Sequence, residues 1–165
     1  MPNDLQFRRA TLADRGLLFT LHRSLYIDHR DKILPPEIIE LVAYRDFDTV
    51  LREDIEALLK SEQTIVLIGH LDGDVVGYIS ARIQQEPRRL LRRRGVIEDW
   101  YVEEEHRGKG YGGELLKAIE ASLLEAGCEV LESATWSFNE GARRVHESLG
   151  FSEVQIQYRK RLESD

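Results

Sequence analysis

Residues 106 to 113 read HRGKGYGG, four glycines interleaved with His106, Arg107, Lys109 and Tyr111, directly ahead of a stretch with helical apolar spacing. Glycine lets a bulky group reach the main chain, and a helix N-terminus favours negative charge by roughly 0.3–1 kcal/mol per interaction. Such a turn is suited to an anion, with Arg107 and Lys109 adding screened attraction. A plain helix start is the alternative. Gly108, Gly110 and Gly113 satisfy G-x-G-x-x-G, but the polar residues EEEHR separate Val102 from Gly108. The 52 residues after Gly113 are also too few for the second half of a dinucleotide fold. A P-loop is excluded because Lys109 is followed by glycine rather than Ser or Thr.

A second oddity lies just upstream. Strands disfavour acidic residues, yet VIEDWYV, residues 96 to 102, carries Glu98 and Asp99 side by side at its centre. Alternation sends Val96, Glu98, Trp100 and Val102 to one face and Ile97, Asp99 and Tyr101 to the other, so one carboxylate of the two faces a given site. Histidines 22, 29, 70, 106 and 146 show no zinc-type spacing, and no metal is expected. Cys128, the single cysteine, has no visible base beside it and reads as a buried strand residue rather than a nucleophile.

These groups need elements to position them. A short strand at residues 5 to 9 precedes capping chemistry at Thr11 to Asp14 and a helix carrying Leu17, Leu18, Leu21 and Leu25. Pro35 and Pro36 open a second helical region that runs to about residue 60. TIVLIGHL turns at Asp72-Gly73 into DVVGYISARI, a hairpin signal, and the arginine-rich EPRRLLRRR reads as a solvated loop before VIEDWYV. Beyond the glycines, Leu115, Leu116, Ile119 and Leu123 mark a helix that stops at Gly127. CEVLESATW follows as a strand, NEGARRVHESL as a helix and FSEVQIQYRKRL as a last alternating strand. The spacing predicts one mixed α and β domain over residues 1–165.

Composition agrees. Apolar residues make up 42% and charged residues 32%, an ordinary globular balance with no run long enough to span a bilayer. MPNDLQFRRAT has no apolar core or cleavage site, so a cytoplasmic location is expected. The net charge of −7 argues against nucleic acid as a partner and suits a cationic acceptor, although the arginine tract pulls the other way.

Taken together the chain resembles the GNAT superfamily of acetyl-coenzyme A dependent N-acetyltransferases. Arg107, Gly110 and Gly112 meet its R/Q-x-x-G-x-G/A motif, and Asn139, Ala142, His146 and Gly150-Phe151 meet its second signature. FRRATLADR and LDGDVVGYIS look like its opening strand and its hairpin. The resemblance implies an α/β (α+β) fold, a single mixed, largely antiparallel sheet flanked by helices, with acetyl-CoA as donor. It implies that amides of Arg107, Gly108, Lys109, Gly110, Tyr111, Gly112 and Gly113 hold the pyrophosphate. It also implies that the Trp100, Tyr101 and Val102 segment pairs with the pantetheine arm and thioester carbonyl, and that Asn139 helps hold that arm. Asn139 is equally a plausible helix cap.

The implied reaction is direct transfer to a primary amine of a small molecule, a peptide N-terminus or a lysine. A protonated amine needs a base, for which Glu98 is the first candidate and Asp99 the second. The Val102 amide region would stabilise the oxyanion. His146 stands where the family most often carries the tyrosine that protonates the leaving thiolate. A half-buried structural role and a catalytic one both stay open for it, with water as the other proton source. The missing tyrosine also motivates a noncatalytic acyl-CoA sensor as the alternative function. Dimerisation is common among such domains, and the homodimer is left open by the sequence.

Overall fold

The computed structural model describes residues 4–164. The chain runs through β1 (Gln6–Arg9), α1 (Arg15–Asp28), α2 (Pro36–Val42), α3 (Phe47–Lys60), β2 (Thr64–Leu71), β3 (Asp74–Gln85), β4 (Arg93–Val102), α4 (Tyr111–Glu125), β5 (Val130–Glu132) and α5 (Glu140–Ser148). Strand order is β1-β2-β3-β4-β5, antiparallel throughout except for the parallel pair β4–β5. The β2–β3 hairpin closes where the D-G signal places it, with Asp72 at φ 52° and Gly73 at φ 87°.

The sheet is buried on both faces at its centre. Ile65, Leu67, Ile79, Ala81 and Ile97 pack under Leu115, Leu116, Ile119 and Leu123 of α4. Val66, Ile68, Tyr78 and Tyr101 pack under Leu18 and Leu21 of α1 and Ile55 of α3. This two-sided burial explains why TIVLIG is a continuous apolar run rather than an alternating one. Before α1, the Thr11 amide donates to Asp14 Oδ2 (2.8 Å), and Arg8 of β1 grips the same carboxylate, lowering the Asp14 pKa to about 2.

Four expectations need correction. The helical region after Pro36 is two helices, because Ala43 turns extended (ψ 146°) and Asp46 accepts from Val50 N to start a new helix, leaving Tyr44 free to pack on Tyr26. The CEVLESATW strand is only Val130–Glu132, since β4 offers a ladder to those three residues alone. Cys128 is buried but lies in the turn before β5, its amide donating to Leu123 O. FSEVQIQYRKRL forms no strand: residues 152–164 are exposed and held by polar contacts such as Arg143–Glu153 and Arg161–Glu40.

Gly77 of β3 lies opposite Val102 of β4. A methyl group there would overlap the Tyr101 carbonyl and stand 2.9 Å from Val102 Cα, both main-chain atoms that cannot step aside. Gly77→Ala is expected to cost about 3 kcal/mol, read as a lowered urea midpoint at unchanged m.

Candidate active site

The β4–β5 ladder joins Arg94–Val96 to Val130–Glu132 and goes no further. Arg94 is ion-paired with Glu132 at the fork. Past it the strands separate around a cleft of about 240 Å³. Residues 97–100 and Val102 of β4 form one wall and Ser133–Thr135 the other, while Asn139, Ala142, Val145 and His146 close the far side. Gly112 of α4 lies at one end, and Leu25 and His29 approach from the end of α1.

The β4 wall is irregular. Ser80 pairs with Asp99 but Ala81 with Ile97, so Glu98 is the extra residue of a β-bulge. The bulge breaks the expected alternation: Ile97 joins Trp100 and Val102 on the α4 face, and Asp99 joins Tyr101 on the α1 face. Glu98 and Asp99 both line the cleft, which corrects the expectation that only one would. Their surroundings differ. Glu98 is exposed and pairs through Oε1 with Arg82 Nε (2.7 Å), whereas Asp99 is 7% exposed.

Buried Asp99 is compensated by a histidine that sequence spacing could not connect to it. His22 of α1, 2% exposed, places Nδ1 3.2 Å from Asp99 Oδ2 and 3.2 Å from Tyr78 Oη, and Nε2 3.4 Å from Asp54 Oδ2. Burial pushes the His22 pKa down, but Asp99 and Asp54 together outweigh it and leave it raised. Tyr26 stands edge-on to His22 (4.9 Å between centroids), its own pKa pushed far up by burial and by contact with Tyr44.

At the glycine turn, Gly108 (φ 76°) and Gly110 (φ 85°) adopt the left-handed conformation, and Gly110 precedes the first residue of α4. A side chain at either would meet no protein atom within 4 Å, so the backbone there is open to an incoming group. Trp100 Nε1 donates to Gly112 O (3.0 Å), fixing α4 to β4. The Arg107 side chain does not serve as a free cation at the turn. It donates to Val102 O (2.8 Å) and Asp28 Oδ2 (2.7 Å) and lies over the Tyr101 ring. Lys109 Nζ donates to Glu105 O.

Asn139 is the cap of α5, its Oδ1 accepting from Ala142 N (3.0 Å) while the residue also lines the cleft. His146 is half-buried between Trp100 and Phe151. Its Nδ1 is 2.6 Å from the Ala142 carbonyl, which can only accept, so that nitrogen carries a proton and Nε2 faces Ser133 Oγ at 2.7 Å. Ser133, which no motif singled out, lines the cleft beside His146.

The chain belongs to the Acetyltransferase (GNAT) family, whose pattern matches residues 27–151. An aminoglycoside N(6′)-acetyltransferase type 1 of Stenotrophomonas maltophilia is 30% identical over 129 residues, covering 76% of this chain and 84% of that protein. An enzyme of the same name from Salmonella typhimurium is 29% identical over 112 residues, 66% of this chain and 77% of its own. The fold is shared with an aminoglycoside N-acetyltransferase determined with CoA (TM-score 0.74, 22% identity, 98% of both chains). It is also shared with a Clostridium acetobutylicum protein determined with acetyl-CoA (TM-score 0.75, 18% identity, 96% of both chains). The protein is an acetyl-CoA-dependent N-acetyltransferase that moves an acetyl group to an amine, and these relatives give no support to a noncatalytic sensor. The residues fit that donor: the open backbone at Gly108 and Gly110 leads into a helix, and the β4 edge beyond Val96 pairs with no strand on the cleft side among the described residues.

Because the folded pKa of His22 is raised, its stabilising contribution is complete below the unfolded value near 6.5 and is lost as pH rises through the folded value. His22→Gln is therefore expected to flatten the decline in unfolding free energy above about pH 6.5, measured by urea titration across that range.

Proposed function

We propose that this single acetyltransferase domain acetylates a polycationic amine of the aminoglycoside class by direct transfer, with Glu98 as proton acceptor. The observation that carries the reading is the bulge, which brings two adjacent carboxylates to one cleft. Both aminoglycoside N(6′)-acetyltransferases named above support the acceptor class. Glu98 and Asp99 line the cleft, Asp54 stands behind Asp99 across His22, and Tyr26 packs on His22 beside Tyr44 and Phe47, a setting that favours a cationic acceptor. An acetyl-CoA donor suits a cytoplasmic location, and none of the described helices is long and apolar enough to cross a membrane.

In this reading Glu98 takes a proton from the ammonium, directly or through water, and the freed lone pair attacks the thioester carbonyl carbon. The N–C bond forms as the C–S bond breaks, the main chain at Val102 stabilises the oxyanion, and the remaining excess proton on nitrogen passes to water. In its doubly protonated form His146 passes the Nε2 proton to the Ser133 hydroxyl as that hydroxyl gives its own proton to the leaving thiolate, leaving a neutral ring whose Nδ1–H stays on Ala142 O. Amides from Arg107 to Gly113 hold the pyrophosphate, the Trp100–Val102 edge holds the pantetheine arm, and Asn139 positions α5 against it. Asp99, neutralised by His22, is the second reading for the base because it shares the cleft.

Thiol release with an aminoglycoside bearing a 6′-amine, its 6′-hydroxy counterpart and thialysine tests the acceptor class; turnover confined to thialysine would sink it. Glu98→Gln is expected to lower kcat by about 100-fold or more and move the pH optimum upward with CoA affinity unchanged, because the acceptor must then arrive deprotonated. An unchanged pH profile in Glu98→Gln, with the loss appearing in Asp99→Asn, transfers the role to Asp99. Gly110→Val, which forces a β-branched residue to φ 85°, is expected to weaken CoA binding at least about tenfold in calorimetry.

A further inference from the structure

The transfer chemistry asks the far side of the cleft for one proton, which a lone hydroxyl or a water could give. The chain builds a three-part line of groups there instead. Ser133 Oγ lies 2.7 Å from His146 Nε2, and His146 Nδ1 lies 2.6 Å from the Ala142 carbonyl one helical turn back. Trp100 and Phe151 stand edge-on to the imidazole at 5.4 and 5.1 Å between centroids, which holds the ring in place. Because the carbonyl only accepts, the neutral ring keeps its proton on Nδ1 and turns the Nε2 lone pair to the serine hydroxyl. A hydroxyl, a base within its reach and a third group that fixes the base form the arrangement that activates a serine nucleophile.

Ser133 is also placed to reach an acyl group. It is the first residue after β5, half-buried, on the cleft wall opposite residues 97–100 and Val102 of β4. In the donor placement given above the pantetheine arm runs along that β4 edge, and the inference rests on that placement. Cys128, by type the stronger nucleophile, does not line the cleft, and burial pushes its thiol pKa up.

We propose that, when the cleft holds acetyl-CoA without an acceptor, Ser133 takes the acetyl group and His146 drives its hydrolysis, a thioesterase activity in the same cleft as the transferase. Ser133 Oγ attacks the thioester carbonyl carbon while its proton passes to His146 Nε2. The O–C bond forms, the C–S bond breaks, and the Nε2 proton goes to the departing thiolate. The main chain at Val102 meets the oxyanion as it does in transfer. CoA leaves, and an acetyl ester stays on Ser133. Water then attacks the ester and gives one proton to Nε2, and that proton returns to Ser133 Oγ as the C–O bond breaks. Acetyl-CoA and water have become acetate, CoA and one proton, with no outside reactant. One pair thus serves two states of the ring: doubly protonated it supplies a proton, singly protonated it accepts one.

Exchange of labelled CoA into acetyl-CoA, measured with no amine present, tests the ester, because direct transfer has no step that returns acetyl to free CoA. The unaltered chain should exchange label and release acetate, and an acid-quenched digest should carry acetyl on the peptide holding Ser133. Ser133→Ala and His146→Gln should each lower exchange about 100-fold or more, and the double variant no further, since the pair acts as a unit. Absent exchange in the unaltered chain, an ester on any other peptide, or exchange that survives Ser133→Ala would overturn the inference. No acceptor enters these assays, so a failed aminoglycoside panel leaves them readable, and absent exchange leaves amine transfer standing.

Discussion

The chemistry of this protein depends on two strands that pair for three residues and then part. Hydrogen-bonding groups on β4 beyond Val96 are left facing a cleft, a costly arrangement unless water or a ligand meets them. Several contacts keep the fork from zipping shut. The Arg94–Glu132 pair marks where the ladder ends, Trp100 reaches across to the Gly112 carbonyl, and His146 and Phe151 fill the angle between β4 and α5. The start of α4 is thereby held beside the open edge, so one long ligand can meet strand amides along its arm and helix amides at its anionic end.

The bulge at Glu98 adds a second constraint. Two carboxylates on one side of a strand would repel, and the fold gives each its own basic partner: exposed Arg82 for Glu98 and buried His22 for Asp99. The two pairs are not equivalent. A surface guanidinium can yield to solvent or substrate at little cost, whereas His22 is locked between Asp99, Asp54 and Tyr78. One carboxylate is consequently available and the other fixed, within consecutive residues.

What the sequence revealed follows the range of the interaction involved. The D-G hairpin, the glycine turn, the α4 stripe and the Asn139 cap were legible because each is decided within a few residues, and all are present. Glu98 and Asp99 were legible as an anomaly but not as a geometry. A bulge is decided by how β3 meets β4, and nothing in VIEDWYV distinguishes it from regular alternation. His22 lies far from Asp99 along the chain, and Ser133 sits in a segment that reads as an ordinary strand. The β5 and C-terminal strands were overestimated for a related reason: alternation states that a segment suits a sheet, not that a neighbour is there to receive it.

Arg107 was expected to offer its charge to an anion, and it is instead a clasp. One guanidinium joins Asp28 at the end of α1, the last carbonyl of β4 and the ring of Tyr101. The end of α1 and the glycine turn that leads into α4 are thereby tied through a single residue. Any ligand whose binding draws Arg107 from Asp28 changes the free energy of the other ligand's seat by the same amount that the other changes its own. In the proposed reading the donor sits at that turn and the acceptor beside α1, so each changes the other's affinity by the same factor, whichever arrives first.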